Sequence, residues 1–154
     1  MLTGNGSFEE TPPDVEEIAR RMQAIADRRL PYLVAEAEGR VQGFAYASLF
    51  RPRSAYRWTV EDSVYVSPEA LGRGFGRQLL GTLVDRCESL GYRQMVAVIG
   101  DSANTRSIGL HEALGFERAG VLNSVGLKFG GWLDVVFMQR ALGDGDQDVP
   151  NAER

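Results

Sequence analysis

Apolar residues recur at three- and four-residue spacing through Val15, Ile18, Met22, Ile25 and Ala26, the period of one face of an α-helix. Pro12-Pro13 ahead of this stripe and Asp14 at its head predict a helix capped by Asp14 and ending near Arg28-Arg29. The pattern then changes to runs of strand length. Tyr32–Ala37 and Val41–Leu49 flank Glu38-Gly39-Arg40, whose glycine suits a tight reversal, so the two runs read as an antiparallel hairpin. Beyond the proline-bearing loop Arg51-Pro-Arg-Ser54, the segment Trp58–Val66 is rich in β-branched and aromatic residues and predicts a third strand ending at Ser67-Pro68.

Leu79, Leu80, Leu83, Val84, Cys87 and Leu90 form a second helical stripe, starting after the glycines at 72, 74 and 76 and stopping at Gly91. Gln94–Ile99 is a continuous apolar run bounded by Gly91 and Gly100, which reads as a strand buried on both faces in a parallel, central position. Asn104 to Leu114 carries Ile108, His111 and Leu114 at period three and closes at Gly115, a third helix. Strand-like runs follow at Gly120–Leu127 and Trp132–Leu142. The order is helix–β–β–β–helix–β–helix–β–β, an α/β (α+β) mixture around a partly antiparallel sheet. Residues 1–142 read as one domain, and the polar stretch 143–154 as a disordered tail.

Composition removes several classes of function. Net charge is -4 with 17 Lys and Arg against 21 Asp and Glu, which argues against nucleic acid or an anionic membrane as partner. Cys87 and His111 are the only cysteine and the only histidine, so neither an intrachain disulfide nor a zinc cluster is expected. No run approaches the ~18–20 apolar residues of a membrane helix, and the first residues lack the pattern of a secretory signal. The expectation is a cytoplasmic protein without a metal.

The strongest chemical signal is Gly72-Arg-Gly-Phe-Gly-Arg77 between a strand and the best-defined helix. Backbone N–H groups at a helix N-terminus bind anions, glycines admit close approach of a phosphate, and Arg73 and Arg77 add charge. A P-loop requires Lys and then Ser or Thr after its last glycine, where Arg77 and Gln78 stand. A dinucleotide fold requires an acidic residue about 20 positions on, where the apolar Met95–Ile99 stands.

Leu71-Gly-Arg-Gly-Phe-Gly76 resembles the acetyl-CoA signature of the GCN5-related N-acetyltransferases (GNAT), with Leu71 in place of the family's Gln or Arg. Thr59–Val66, Ala97–Asn104, Leu110–Phe116 and Val125–Trp132 are similar to the phosphinothricin and methionine sulfoximine acetyltransferase branch, and the likeness runs from Phe8 to Leu142. The resemblance implies the GNAT acyl-CoA N-acyltransferase fold, a mixed, mostly antiparallel sheet flanked by helices, here without the family's first strand and helix. It implies acetyl-CoA as co-substrate and a homodimer paired through the C-terminal strands, with Lys128–Trp132 at the interface.

The resemblance also assigns residues. Glu61 matches the carboxylate near the amine and His111 the branch's catalytic histidine, acid or base being left open. Gly72, Arg73, Gly74, Phe75, Gly76, Arg77 and Asn104 match coenzyme contacts, and Val64, Tyr65 and Val66 offer backbone groups to the pantetheine arm. Arg51, Arg53 and Tyr56 match residues that hold an anionic amino acid, with Phe8 against its aliphatic part. Cys87, Trp58 and Trp132 read as packing residues. The implied reaction is acetylation of the α-amine of a small amino acid by direct attack; the competing readings are a peptide N-terminus or polyamine as acceptor, and a non-catalytic coenzyme-A-binding module.

Overall fold

A computed structural model describes residues 8–151; the first seven residues of the expected domain and the last three of the expected tail lie outside the described residues. Helix α1 spans Val15–Asp27, and the Asp14 side chain accepts a hydrogen bond from the Glu17 N–H at 2.8 Å, which satisfies one of the helix's free N-terminal donors. Strands β1 (Tyr32–Ala37) and β2 (Arg40–Leu49) form the hairpin, followed by β3 (Thr59–Val66), α2 (Phe75–Ser89), β4 (Gln94–Gly100), α3 (Thr105–Ala113), β5 (Glu117–Lys128) and β6 (Gly131–Ala141). The element order matches the one read from the periodicities. β5 begins three residues earlier than its apolar run and carries a bulge between Leu122 and Gly126.

One six-stranded sheet has the order β1-β2-β3-β4-β6-β5. Only β3 and β4 run parallel, as α2 crossing between them requires. β4 is central, and Met95, Val96, Ala97 and Ile99 are at most 9% exposed, which explains its unbroken apolar run. Leu79, Leu80, Leu83, Val84 and Cys87 of α2 pack onto the sheet with Val60, Ala45, Ala47 and Met138. Each such fully buried leucine stabilises the fold by about 1.5–3 kcal/mol.

Position along β3 decides which face a side chain occupies. Val60, Asp62, Val64 and Val66 point to the α2 side, where a Cβ at Gly76 would stand 3.5 Å from Val66 Cγ2, and Thr59, Glu61, Ser63 and Tyr65 point to the other. On that second face Tyr32, Phe44, Tyr46 and Tyr65 form a stacked aromatic series with ring centroids 4.9–6.5 Å apart. Residues after β6 are tied back by Arg93, which pairs with Asp148 at 2.7 Å and Asp144 at 3.7 Å.

Candidate active site

Pairing between β3 and β4 stops at Asp62 and Ala97, although both strands continue, so the sheet opens at its centre. Ser67 donates to the Gln42 carbonyl and Phe50 to the Thr59 carbonyl, and in the β2–β3 register this assigns the backbone groups of odd-numbered β3 residues to β2. The N–H and C=O groups of Val64 and Val66 therefore face the opening, without a strand partner there. Those of Tyr65 turn toward β2, so of the three strand residues expected to offer backbone groups, only Val64 and Val66 have them facing the opening. A cavity of about 220 Å³ occupies the opening and reaches Glu61, Asp62, Val64, Asn104 and His111.

The glycine turn lies beyond the end of β3. Gly72 and Gly74 have φ of +77° and +88°, and a Cβ built on either meets nothing within 4 Å, so the turn needs glycine for its backbone and leaves open space over it. Gly74 is the N-cap of α2 and supplies no side-chain cap, which leaves the helix's first N–H groups for an anion. At Gly76 a Cβ would stand 3.3 Å from Leu110 Cδ2, a close approach of α2 to α3. Arg73 lies over the Phe75 ring at 5.3 Å and pairs with Glu38 of the β1–β2 turn at 3.3 Å; Arg77 is exposed. This turn and the opening suit a pyrophosphate joined to an extended, amide-bearing arm, the shape of coenzyme A.

Glu61 is half-buried, and its carboxyl is held above the usual carboxylate range, chiefly by loss of hydration, against the lowering influence of Arg51 and with a further upward push from Asp62. Asp62 and His111 are buried, at 6% and 3% exposure. His111 Nε2 lies 2.9 Å from Asp62 Oδ2, and Nδ1 lies 2.7 Å from the Ser107 carbonyl. Burial disfavours the charged ring, but the hydrogen bond and charge of Asp62, with the Ser107 carbonyl, outweigh it and raise its pKa above the ordinary histidine value. Asn104 caps α3, accepting from the Ser107 N–H at 3.2 Å, and also lines the cavity.

The expected acceptor residues divide. Phe8 lines the cavity beside Glu61, its ring seated on β5 where a Cβ at Gly126 would overlap it. Arg51 stacks on Phe50 at 4.2 Å and donates to the Phe50 carbonyl, with its charge felt at Glu61. Tyr56 meets Phe50 edge-on at 5.8 Å and borders an adjoining groove with Val96 and Phe137 on the Glu61 face of the sheet. Arg53 is exposed on the same loop and lines neither space.

Asp62 was not singled out by the sequence reading. Its signal is positional: it shares the buried parity of Val60 on β3, where an acid is costly without a partner. Cys87 is fully buried, with its thiol pushed up to about 12 by desolvation and then by the charge of Asp62, so it is not a nucleophile at neutral pH. Trp132, expected to be a packing residue, is 67% exposed. No group of three or more potential metal ligands occurs among the described residues, and no helix there is long and apolar enough to cross a membrane.

Known proteins match this arrangement. The chain is 57% identical over 150 residues to the phosphinothricin N-acetyltransferase of Alcaligenes faecalis, covering 97% of this chain and 76% of that one. It is 46% identical over 133 residues to the L-methionine sulfoximine/L-methionine sulfone acetyltransferase of Pseudomonas paraeruginosa, covering 86% and 77%. Among solved structures, a GNAT superfamily phosphinothricin acetyltransferase from Sinorhizobium meliloti in complex with AcCoA superposes with a TM-score of 0.94 at 53% identity, over 97% of this chain and 81% of that one. The model of the Acetyltransferase (GNAT) family matches residues 4–116, and with the opened sheet, the glycine turn and these relatives together, the chain belongs to that family.

Proposed function

We propose that this chain transfers the acetyl group of acetyl-CoA to the α-amine of a small amino acid of the phosphinothricin or methionine sulfoximine type. The observation that carries the reading is the meeting of Glu61, the Asp62–His111 pair and the unpaired backbone of Val64 and Val66 in one opening. The names of the two relatives supply the acceptor class. Bound in the opening, acetyl-CoA would supply a thioester carbonyl: the acceptor amine forms the new C–N bond as the C–S bond breaks, and coenzyme A leaves as a thiolate that takes its proton from water.

The chain's own residues then divide the work. The turn Gly72–Arg77 and the α2 N-terminus hold the pyrophosphate, with Asn104 on the coenzyme side, and Val64 and Val66 hold the arm as an added strand. A backbone N–H of β3 polarises the carbonyl. Glu61 takes the proton of the acceptor ammonium, a role favoured by a carboxyl raised toward neutrality. Arg51 attracts the acceptor's carboxylate or phosphinate, Phe8 covers its aliphatic part, and Tyr56 and Arg53 complete the rim.

The deciding experiment is thiol release from acetyl-CoA with phosphinothricin, methionine sulfone, methionine sulfoximine and a short peptide as acceptors. Turnover is expected with the small amino acids. Glu61→Gln should lower kcat by roughly 10²–10⁴-fold with acetyl-CoA binding intact, and an unchanged kcat would remove Glu61 from the role.

We further propose a homodimer joined through β5 and β6. Val121, Leu122, Val125, Leu127, Phe129 and Trp132 are each 45–67% exposed, an apolar surface of the kind that marks an interface. Trp132→Lys should convert the dimer to a monomer on sizing by light scattering, and a monomeric parent chain refutes the pairing. Dependence on acetyl-CoA, a compound of the cell interior, supports a cytoplasmic location.

A further inference from the structure

Both nitrogens of His111 are committed. The Ser107 carbonyl only accepts hydrogen bonds, so Nδ1, 2.7 Å away, carries hydrogen. Nε2 meets Asp62 Oδ2 at 2.9 Å, and the two side chains are 4% and 2% exposed. Asp62 sits on the last β3 residue still in register with β4, where strand pairing fixes its backbone. Its second oxygen, Oδ1, is buried and lacks a partner among the described residues. Leaving a buried carboxylate oxygen without a donor is costly, so the one side-chain hydrogen bond Asp62 makes among the described residues, to His111, is worth keeping. Phe116 closes the ring's far side edge-on at 5.0 Å.

We propose that Asp62 is a positioning residue: it fixes His111 as an imidazolium donating from both nitrogens, so that the histidine cannot accept the acceptor's proton and Glu61 is the only base of the site. The inference rests on the acetyl-transfer reading above, in which Glu61 is the base, and adds that His111, with both nitrogens bonded to Ser107 and Asp62, neither takes the acceptor's proton nor gives one to the leaving thiolate. His111 brings fixed positive charge, balanced by Asp62, to the end of the opening where the strands separate. A lone pair on Nε2 would become available only by breaking the bond to Asp62 and leaving two buried carboxylate oxygens without donors.

The titratable groups around the ring support this. Asp62 faces it from β3, Glu61 reaches the same cavity from the opposite face of that strand, and Cys87 on α2 feels the charge of Asp62. β4 lines the cavity with Ala97 to Gly100 and adds no charge. With these neighbours the ring's affinity for protons is raised.

His111 is the only histidine of the chain, so NMR of the tag-free protein labelled with ¹⁵N-histidine reads it alone. Both ring nitrogens are expected to be protonated at neutral pH, with a titration midpoint above the ordinary histidine value, and the midpoint should fall in Asp62→Asn. A parent-chain midpoint at or below the ordinary value overturns the proposal without any variant needing to fold. The measurement also needs no turnover, so silence with every acceptor would remove the acetyl-transfer reading and leave the state of the pair decided separately.

Kinetics then tests the assignment. Asp62→Asn should lower kcat by about 10-fold or more while KM for acetyl-CoA changes by less than about threefold. The acidic limb of the kcat profile should survive His111→Gln and vanish in Glu61→Gln. A limb lost with His111→Gln and kept in Glu61→Gln overturns the proposal.

Discussion

Replacing Gly74 with alanine separates the turn's contribution to stability from its contribution to binding. Gly74 has φ +88° and ψ -1°, a left-handed conformation that costs a non-glycine residue about 1–2 kcal/mol. A Cβ there meets nothing within 4 Å, so no clash adds to that figure. For a chain of this size the loss corresponds to a fall in Tm of roughly 2–8 °C. Gly81 provides the control: it lies inside α2, its Cβ also meets nothing within 4 Å, and its φ is outside the left-handed region. Gly81→Ala should therefore raise Tm, because alanine is favoured over glycine by about 0.5–1 kcal/mol in a helix interior. Binding should divide the other way. The new methyl at position 74 projects into the space over the turn, and acetyl-CoA affinity by titration calorimetry should fall by about 10-fold or more, equivalent to about 1.4 kcal/mol; Gly81→Ala should bind as the parent does. Equal affinity in Gly74→Ala would falsify the assignment of this turn to the pyrophosphate, and equal Tm would refute the strain argument independently.

Two more predictions follow from charge. Arg51 lowers the pKa of Glu61, and a base is active only when ionised, so Arg51→Gln should raise that pKa and move the acidic limb of kcat to higher pH; a limb that stays in place refutes the coupling. Asp134 is held below the ordinary carboxylate value by the Ser102 hydroxyl and then by the Ser124 N–H, against a small opposing effect of desolvation. A depressed carboxylate stabilises the fold above its unfolded pKa and loses that contribution as pH falls. The urea midpoint of Asp134→Asn should thus lie below the parent's at neutral pH, with the gap narrowing as pH falls below 3.8 toward the depressed value in the folded state; a constant gap would show that ionisation is not its source.

The elements were legible because each period survives the tertiary context. The stripe of α2 is the face that is buried, and the unbroken apolar run of β4 reflects cover on both sides. The glycine turn was legible because positive φ at Gly72 and Gly74 demands that residue. The Asp62–His111 bond joins residues 49 apart in sequence, and no local pattern encodes it; only the parity of Asp62 with buried Val60 marks the acid as unusual. The exposure of Trp132 was likewise hidden, since large aromatic residues read as core whenever their face of a strand is unknown. Tyr65 escaped for a different reason: which edge of a strand its backbone bonds depends on pairing register, which the residue pattern does not carry.

Neighbouring residues on a strand are ordinarily separated by the sheet itself, so Glu61 and Asp62 should have no environment in common. They share one here because β3 and β4 part immediately beyond Asp62, and the cavity in the opening touches both carboxylates although their side chains leave the strand on opposite faces. The parting also frees the backbone of Val64 and Val66. One interruption of strand pairing therefore frees the groups proposed to hold the coenzyme arm, admits Glu61, the proposed base, from one face, and brings the Asp62–His111 pair from the other. Closing the opening by a longer β3–β4 ladder would improve the sheet's hydrogen bonding and remove all three, which makes the unpaired end of β3 a place where pairing is given up for the site.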